Sequence, residues 1–264
     1  MQKINALKKI LKELNSVVVA YSGGRDSAFL LKVAVDTLGE DNVIAVTARS
    51  QTYPLSEYRE AVKLAKSIGM RHLTIRTNEL SSAEFISNPV NRCYYCKKEL
   101  FSRLEEVRDK YGMDHVVDGT NLDDLKDIRY GNKAAKELRV RKPLLEAKIG
   151  KSDISVLSRS LKLPTWDKPA LACLASRFPF NNRITKSGLA RIDKAESFMR
   201  RLGFSQVRVR MHGDIARIEL SKKDLGRALK RREVITKRLK QLGFTYVSLD
   251  LEGYRTGSMH EAAK

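Results

Sequence analysis

The chain has 264 residues, 42% of them hydrophobic, and a formal charge of +20 from 51 basic and 31 acidic side chains. That length predicts roughly two domains with a well-buried core, and no apolar run approaches the roughly 18 residues that a membrane-spanning helix needs. The charge favours anionic partners such as nucleic acid, nucleotides or phosphorylated small molecules without choosing among them, and many single lysines fit a solubilising surface equally well.

The opening MQKINALKKILKELN reads as a basic amphipathic helix with no secretory apolar core, so the expected compartment is the cytoplasm. Residues 16–22, SVVVAYS, form a β-branched run that ends at Gly23-Gly24, after which DSAFLLKVAVDTLG has a helical apolar stripe. The alternation continues with a strand at 42–49, a helix at 55–69, a strand at 71–78, a helix around 92–109 and a strand at 115–121. Helices follow near 123–137 and 152–161, with VRKPLLE between them as a last strand or its approach. This pattern predicts an α/β fold, an open parallel sheet with helices on both faces.

Periodicity fails in LPTWDKPALACLASRFPFNNR (163–183), where three of the six prolines fall. The expected division is an N-terminal domain at 1–165, an interdomain segment at 166–185 carrying Cys173, and a small C-terminal α+β domain at 186–264. The last part holds a helix at 187–203, two strands about His212-Gly213, a basic helix at 222–241 and a final strand. Residues after about Gly257 read as a tail.

Tyr21-Ser22-Gly23-Gly24-Arg25-Asp26-Ser27 sits where a strand becomes a helix, so main-chain N–H groups and the helix N-terminus converge on a place suited to an anion. The glycines admit close approach, Ser22 and Ser27 can donate hydroxyls, and Asp26 suits the turn or a magnesium ion. No Gly-Lys-Ser/Thr is present, so this is not a Walker loop. A tight structural turn alone explains Ser-Gly-Gly equally well. Asp118-Gly119-Thr120-Asn121 ends another apolar strand, where ligands of open α/β sheets bind. The carboxylates that follow, Asp123, Asp124 and Asp127, fit either helix capping or a direct role.

Cys93 and Cys96 fall at i and i+3 of a helix, which puts both sulfurs on one face. Buried structural thiols, a redox dithiol and a shared ligand all fit that spacing. Only three cysteines exist, one short of a four-thiolate zinc site, and His72, His115, His212 and His260 have no ligand-like spacing to the pair. A three-cysteine set including Cys173 would leave one iron of an iron–sulfur cluster open. Tyr94 and Tyr95 suit ring stacking or the core. Arg208 and Arg210 alternate with Val207, Val209 and Met211, so both share one strand face, as a forked anion site or a solvated surface.

SGG-x-DS after a first apolar strand resembles the PP-loop of the ATP pyrophosphatase superfamily, whose fold is similar to that of adenine nucleotide alpha hydrolases. With KPALACLASR, DGTN-x-DD, VRVR, IEL and the ending DLEGYRTGSM, the chain resembles the LarE family over nearly its whole length. Arg25 departs from the small apolar residue commoner at its place. The resemblance implies an ATP- and Mg²⁺-dependent sulfurtransferase. Such an enzyme adenylates a carboxylate of pyridinium bis-carboxylic acid mononucleotide and makes it a thiocarboxylate, on the way to the nickel-pincer nucleotide of lactate racemase.

It further implies nucleotide binding by Ser22, Gly23, Gly24, Asp26, Ser27, Asp118 and Asp124, and a catalytic group of Cys173, Asp26, Ser176 and Arg177. Substrate phosphate would meet Arg208 and Arg210, with Glu196, Glu219 and Asp224 as nearby carboxylates. One branch of the family gives up the sulfur of the cysteine matching Cys173. Another adds a Cys-x-x-Cys and binds a [4Fe-4S] cluster, and Cys93, Cys96 and Cys173 match that set. The expected partners are the mononucleotide, a sulfide donor and further copies of the chain in a homo-oligomer, with no membrane and no nucleic acid. A PP-loop tRNA thiolase is the rival. The segment SKKDLGRALKRREVITKRLK has nine basic and two acidic residues and could track phosphates. Its Leu225, Leu229, Val234 and Leu239 suggest instead an amphipathic helix with a charged outer face.

Overall fold

The computed structural model describes residues 2–69, 71–126, 130–169, 172–255 and 257–259. In chain order the elements are α1 (Gln2–Leu14), β1 (Val17–Ala20), α2 (Arg25–Leu38), β2 (Val43–Arg49), α3 (Leu55–Ser67), β3 (His72–Arg76), α4 (Ala83–Ile86), α5 (Arg92–Tyr111) and β4 (His115–Val117). There follow α6 (Gly131–Glu137), α7 (Pro143–Glu146), α8 (Lys151–Ser160), α9 (Lys186–Arg201), β5 (Val207–His212), β6 (Ile215–Leu220), α10 (Leu225–Lys230), α11 (Arg232–Gln241) and β7 (Tyr246–Leu249). They divide into two compact units. One comprises Met1–Ser50, Leu55–Glu79 and Asn91–Leu171, the other Gln51–Pro54, Leu80–Val90 and Ala172–Lys264.

In the first unit four parallel strands lie in the order β3-β2-β1-β4. Alternation along β1 explains why both faces are covered. Val17 and Val19 join Leu7, Leu11, Phe29 and Leu30 in one core, while Val18 joins Ile44, Phe101, Leu104 and Ala134 in the other. The fold class expected from the alternating pattern holds. From β1 the chain winds outward to β2 and β3, then returns to place β4 on the opposite side of β1, so the sheet has its switch point between β1 and β4. Ligands of open α/β sheets bind in the crevice at such a point.

The second unit has a three-stranded sheet in the order β5-β6-β7, with β5 and β6 antiparallel and β6 and β7 parallel. Its core gathers Met199, Phe204, Val207, Val209, Ile218, Leu220 and Leu239. Two short excursions from the N-terminal part of the chain are stitched into it. Asn88 donates through Nδ2 to the Pro179 carbonyl at 2.6 Å, Ile184 N donates to Ile86 O at 2.9 Å, and Leu174 N donates to Thr52 O at 2.8 Å.

Several elements differ from expectation. VRKPLLE is no strand: Arg141 makes an isolated bridge to Val117, and Pro143 then opens the short α7, as a proline at a first helical position does. The helix expected over 123–137 is a 3₁₀ stretch at Leu122–Lys126 and, separately, α6, and Asp127 lies outside the described residues, as does His260. The helix expected over 222–241 breaks at Arg231 (φ −106°, ψ 15°), which ends α10 and precedes α11. The break shifts the helical phase. Ala228, Ile235 and Leu239 are buried, while Leu229 and Val234 stand exposed, so two of the four positions assigned to an apolar face do not reach the core.

Gly23 has φ +63°, and a Cβ added there would lie 2.5 Å from Ala61 Cβ of α3. Gly23→Ala therefore combines a left-handed backbone with a clash that backbone must absorb, and should cost about 1–3 kcal/mol. Gly24→Ala, whose methyl would meet only Ser22 Oγ at 3.3 Å, should cost under about 1 kcal/mol. Urea unfolding of the two variants checks this ordering, and equal losses would contradict the packing argument.

Candidate active site

The turn after β1 leaves helix amides open in its backbone and is tied in its side chains. Gly24 is the N-cap of α2 with extended backbone (φ −77°, ψ 166°), leaving the first amides of a 14-residue helix unengaged by the helix itself. Ser22 Oγ and Ser27 Oγ lie 3.1 Å apart, and Ser27 Oγ donates to Gly24 O at 3.2 Å. The segment after β4 lies directly against this turn: a Cβ at Gly119 would come within 3.0 Å of Ser27 N. Buried Asn121 donates through Nδ2 to Asp26 Oδ2 at 2.9 Å. Burial raises the pKa of Asp26, and the charge of Asp124 adds to this, while Arg25 works the other way.

Asp118 Oδ1 accepts from Thr120 N at 2.9 Å. Asp124 Oδ2 accepts from Asn121 N at 3.2 Å, and its Oδ1 pairs with Lys151 Nζ at 3.3 Å. Asp123 accepts from Lys151 N at 2.8 Å. The structure thus brings Ser22, Gly23, Gly24, Asp26, Ser27, Asp118 and Asp124 together at the switch point. It adds Lys151 and Lys168, and it turns Asn121, a helix-capping candidate by sequence, onto Asp26. The only sequence signal for Lys168 was membership of a quoted motif, and Lys151 had none.

Cys93 and Cys96 occupy the first turns of α5, Cys93 exposed and Cys96 partly buried with its Sγ 3.9 Å from Glu79 Oε1. Tyr94 packs on the core and donates to Glu137 Oε2 at 2.8 Å, edge-on to Tyr95. Among the described residues no three His, Cys, Asp or Glu side chains gather as a metal site. The donor chemistry supplies three thiols in number, and none of the three is in a disulfide.

In the second unit Cys173 is partly buried at the N-cap of a 3₁₀ turn, Leu174–Arg177. The fully buried Arg177 holds that turn. Its NH1 donates to Ala172 O and Cys173 O, both at 3.1 Å, and to Ser176 Oγ at 2.8 Å. Its Nε and NH2 fork onto Glu196 at 2.8 and 3.0 Å. Glu196 also accepts from Arg200 at 2.9 Å and from Val209 N at 3.1 Å, so its oxygens are taken up by protein donors.

Arg208 and Arg210 lie on one face of β5 as expected, but that face is buried rather than solvated. Arg210 pairs with Glu219 at 2.7 Å and donates to Ser176 O at 3.0 Å, while Glu219 also meets Arg217 and Ser258. Arg208 donates to Val207 O at 2.8 Å and lies over the Tyr254 ring at 5.3 Å. Asp224 accepts from Ser221 Oγ at 2.6 Å and pairs with Arg227, both within its own turn.

Burial pushes the Glu196 carboxyl up, but the charge and hydrogen bonds of Arg177, with Arg200 and Arg208, outweigh it and hold the group below its usual range. The reverse holds at Arg208: burial and the neighbouring Arg177 lower its pKa. Positive charge is in surplus on this face, which an anion would relieve.

The family model described as NAD synthase matches residues 2–96, which run from α1 through the glycine turn into α5. An uncharacterized protein of Synechocystis sp. is 42% identical over 260 residues, covering 98% of this chain and 97% of that one. The pyridinium-3,5-bisthiocarboxylic acid mononucleotide synthase of Lactiplantibacillus plantarum is 40% identical over 251 residues, covering 95% of this chain and 91% of that one. The chain belongs to the LarE family. An uncharacterized protein of Methanocaldococcus jannaschii is 34% identical over 261 residues, again covering nearly all of both chains.

Within this LarE-family chain, Glu196→Gln should cost about 3–5 kcal/mol, because it strips a buried guanidinium of its counter-charge. Since the Glu196 pKa is depressed, its stabilising effect is present above the ordinary carboxylate range and is lost as pH falls through the lowered value. Urea midpoints of wild type and variant should stay separated at neutral pH and converge only in strong acid.

Proposed function

We propose that the protein is an ATP-dependent sulfurtransferase. It activates a carboxylate of pyridinium bis-carboxylic acid mononucleotide as an acyl adenylate and converts it to a thiocarboxylate, toward the nickel-pincer nucleotide of lactate racemase. The observation that carries this reading is the end-to-end similarity to the L. plantarum synthase, and the glycine turn at the sheet's switch point supports its ATP step.

A carboxylate is a poor acyl donor because its oxygen would have to leave as a dianion. Attack of that oxygen on the α-phosphorus breaks the Pα–O bond, pyrophosphate departs with the electron pair, and AMP becomes the leaving group. The amides at Ser22–Ser27 and the N-terminus of α2 would take the polyphosphate charge. Asp26 would help hold Mg²⁺, which offsets charge on the departing pyrophosphate, with Asp118 and Asp124 beside the nucleotide. Arg208 and Arg210 would take the mononucleotide phosphate, because a buried surplus of guanidinium is stabilised by a dianion. Glu219 orients Arg210, and Glu196 holds Arg177. Arg177 and Ser176 set the backbone that presents Cys173.

Cys93, Cys96 and Cys173 supply three thiolates, which suits a [4Fe-4S] cluster with one iron left open, and such a cluster, when bound, would supply a sulfide as the nucleophile. A PP-loop tRNA thiolase uses similar chemistry on another substrate, and the +20 charge favours it.

Anaerobic incubation with MgATP, sulfide and the mononucleotide should yield AMP, pyrophosphate and a thiocarboxylate seen by mass spectrometry, with no turnover on tRNA. Turnover on tRNA alone would overturn the substrate assignment. In the same preparations, iron and acid-labile sulfide should be lost in Cys173→Ala, and zinc in place of iron would refute the cluster.

A further inference from the structure

The glycine turn carries no lysine of its own, and Arg25 is committed elsewhere, with Nε on Asp26 at 3.3 Å and NH1 on Ser155 Oγ at 2.9 Å. A different cation reaches the turn from 145 residues away in sequence: Lys168 Nζ lies 3.4 Å from Gly23 O. The same ammonium pairs with Glu57 at 2.8 Å and Glu60 at 3.0 Å, both on α3, the helix whose Ala61 lies against Gly23. We propose that Lys168, aimed by Glu57, is the phosphate-binding lysine of this turn, contacting the β- and γ-phosphates of ATP. The proposal deepens the ATP reading above and rests on it.

The three partners of Lys168 are unequal. The Lys168 and Glu57 side chains are mostly buried, at 17% and 14% exposed, whereas Glu60 is 62% exposed. The buried Glu57 pair is the anchor, and the Glu60 pair is a solvent-screened contact of little strength. The bond to Gly23 O is long and has an uncharged acceptor, so it is the readiest to yield to a phosphate oxygen, whose negative charge draws the ammonium more strongly. Burial works against the ammonium, but Glu57 and Glu60 outweigh it and raise its pKa, so it stays charged. Two carboxylates beside an anion-binding turn would repel a triphosphate. A lysine held between them and the turn offsets part of that repulsion.

During adenylation Lys168 transfers no proton. As the Pα–O bond breaks and the electron pair moves to pyrophosphate, its N–H groups donate to the oxygens that gain charge, as the lysine of a Walker loop does from inside its own motif.

Titration calorimetry on the full chain with magnesium pyrophosphate, α,β-methylene-ATP and AMP tests this. Lys168→Met should weaken pyrophosphate and α,β-methylene-ATP by about tenfold or more and change AMP by less than about twofold, since AMP lacks the phosphates concerned. Lys168→Arg should recover most of the loss. Lys168→Met binding pyrophosphate like wild type would overturn the proposal, as would an equal loss for AMP, which marks a merely structural anchor. Wild type failing to bind α,β-methylene-ATP at all would overturn the ATP reading itself, a different result from either.

Discussion

One close approach organises the first unit: the main chain at Gly23, in a left-handed conformation, lies against Ala61 with no room for a side chain at Gly23. Because of it, β1 can end, reverse and start α2 within four residues, with the first amides of the helix facing the crevice between β1 and β4. The cores on the two faces of the sheet make β1 rigid. Val17 and Val19 face one way and Val18 the other, and all are fully buried. A site on so fixed a strand can hold a phosphate without reorganising, which is what electrostatic stabilisation of a departing group requires.

The second unit solves a different problem. Its sheet carries charged residues on a buried face, where an isolated charge is costly. It meets the cost by interlocking Arg177 with Glu196 and Arg210 with Glu219, each held to backbone as well as to its partner. Buried ion-pair networks of this kind favour one arrangement. Here the arrangement fixes the carbonyl of Cys173 through Arg177 and that of Ser176 through Arg210, so ion pairs help set the turn bearing the thiol, beside the buried Leu174 and Ala175. Arg208 makes no hydrogen bond to a carboxylate among the described residues, and it is there that an anion would be most strongly felt.

What could be read from the sequence divides along the range of the interactions. The strand, glycine turn and helix at 17–38 were legible because β-branched runs, glycines and a 3.6-residue stripe are local signals. The helical placement of Cys93 and Cys96 was legible for the same reason. The break at Arg231 was not, since nine basic residues mask the phase change that sends Ile235 inward and Leu229 outward. Nor was the burial of Arg208 and Arg210: alternation puts both on one face but cannot say that Tyr254 and Ser258 cover it from the end of the chain. Lys168 stood in plain view inside a quoted motif, and only the fold brings it to Gly23. The resemblance to the LarE family supplied what local signals could not, because its motifs sample both units at once.

The central claim is that ATP is used to activate a carboxylate rather than simply hydrolysed. The most direct measurement uses mononucleotide whose carboxylates are labelled with ¹⁸O, incubated with MgATP and a sulfur source. Expulsion of AMP from an acyl adenylate carries one labelled oxygen into the phosphate of AMP, and that labelled AMP is the predicted product. Unlabelled AMP, or ADP and inorganic phosphate in its place, would contradict the account.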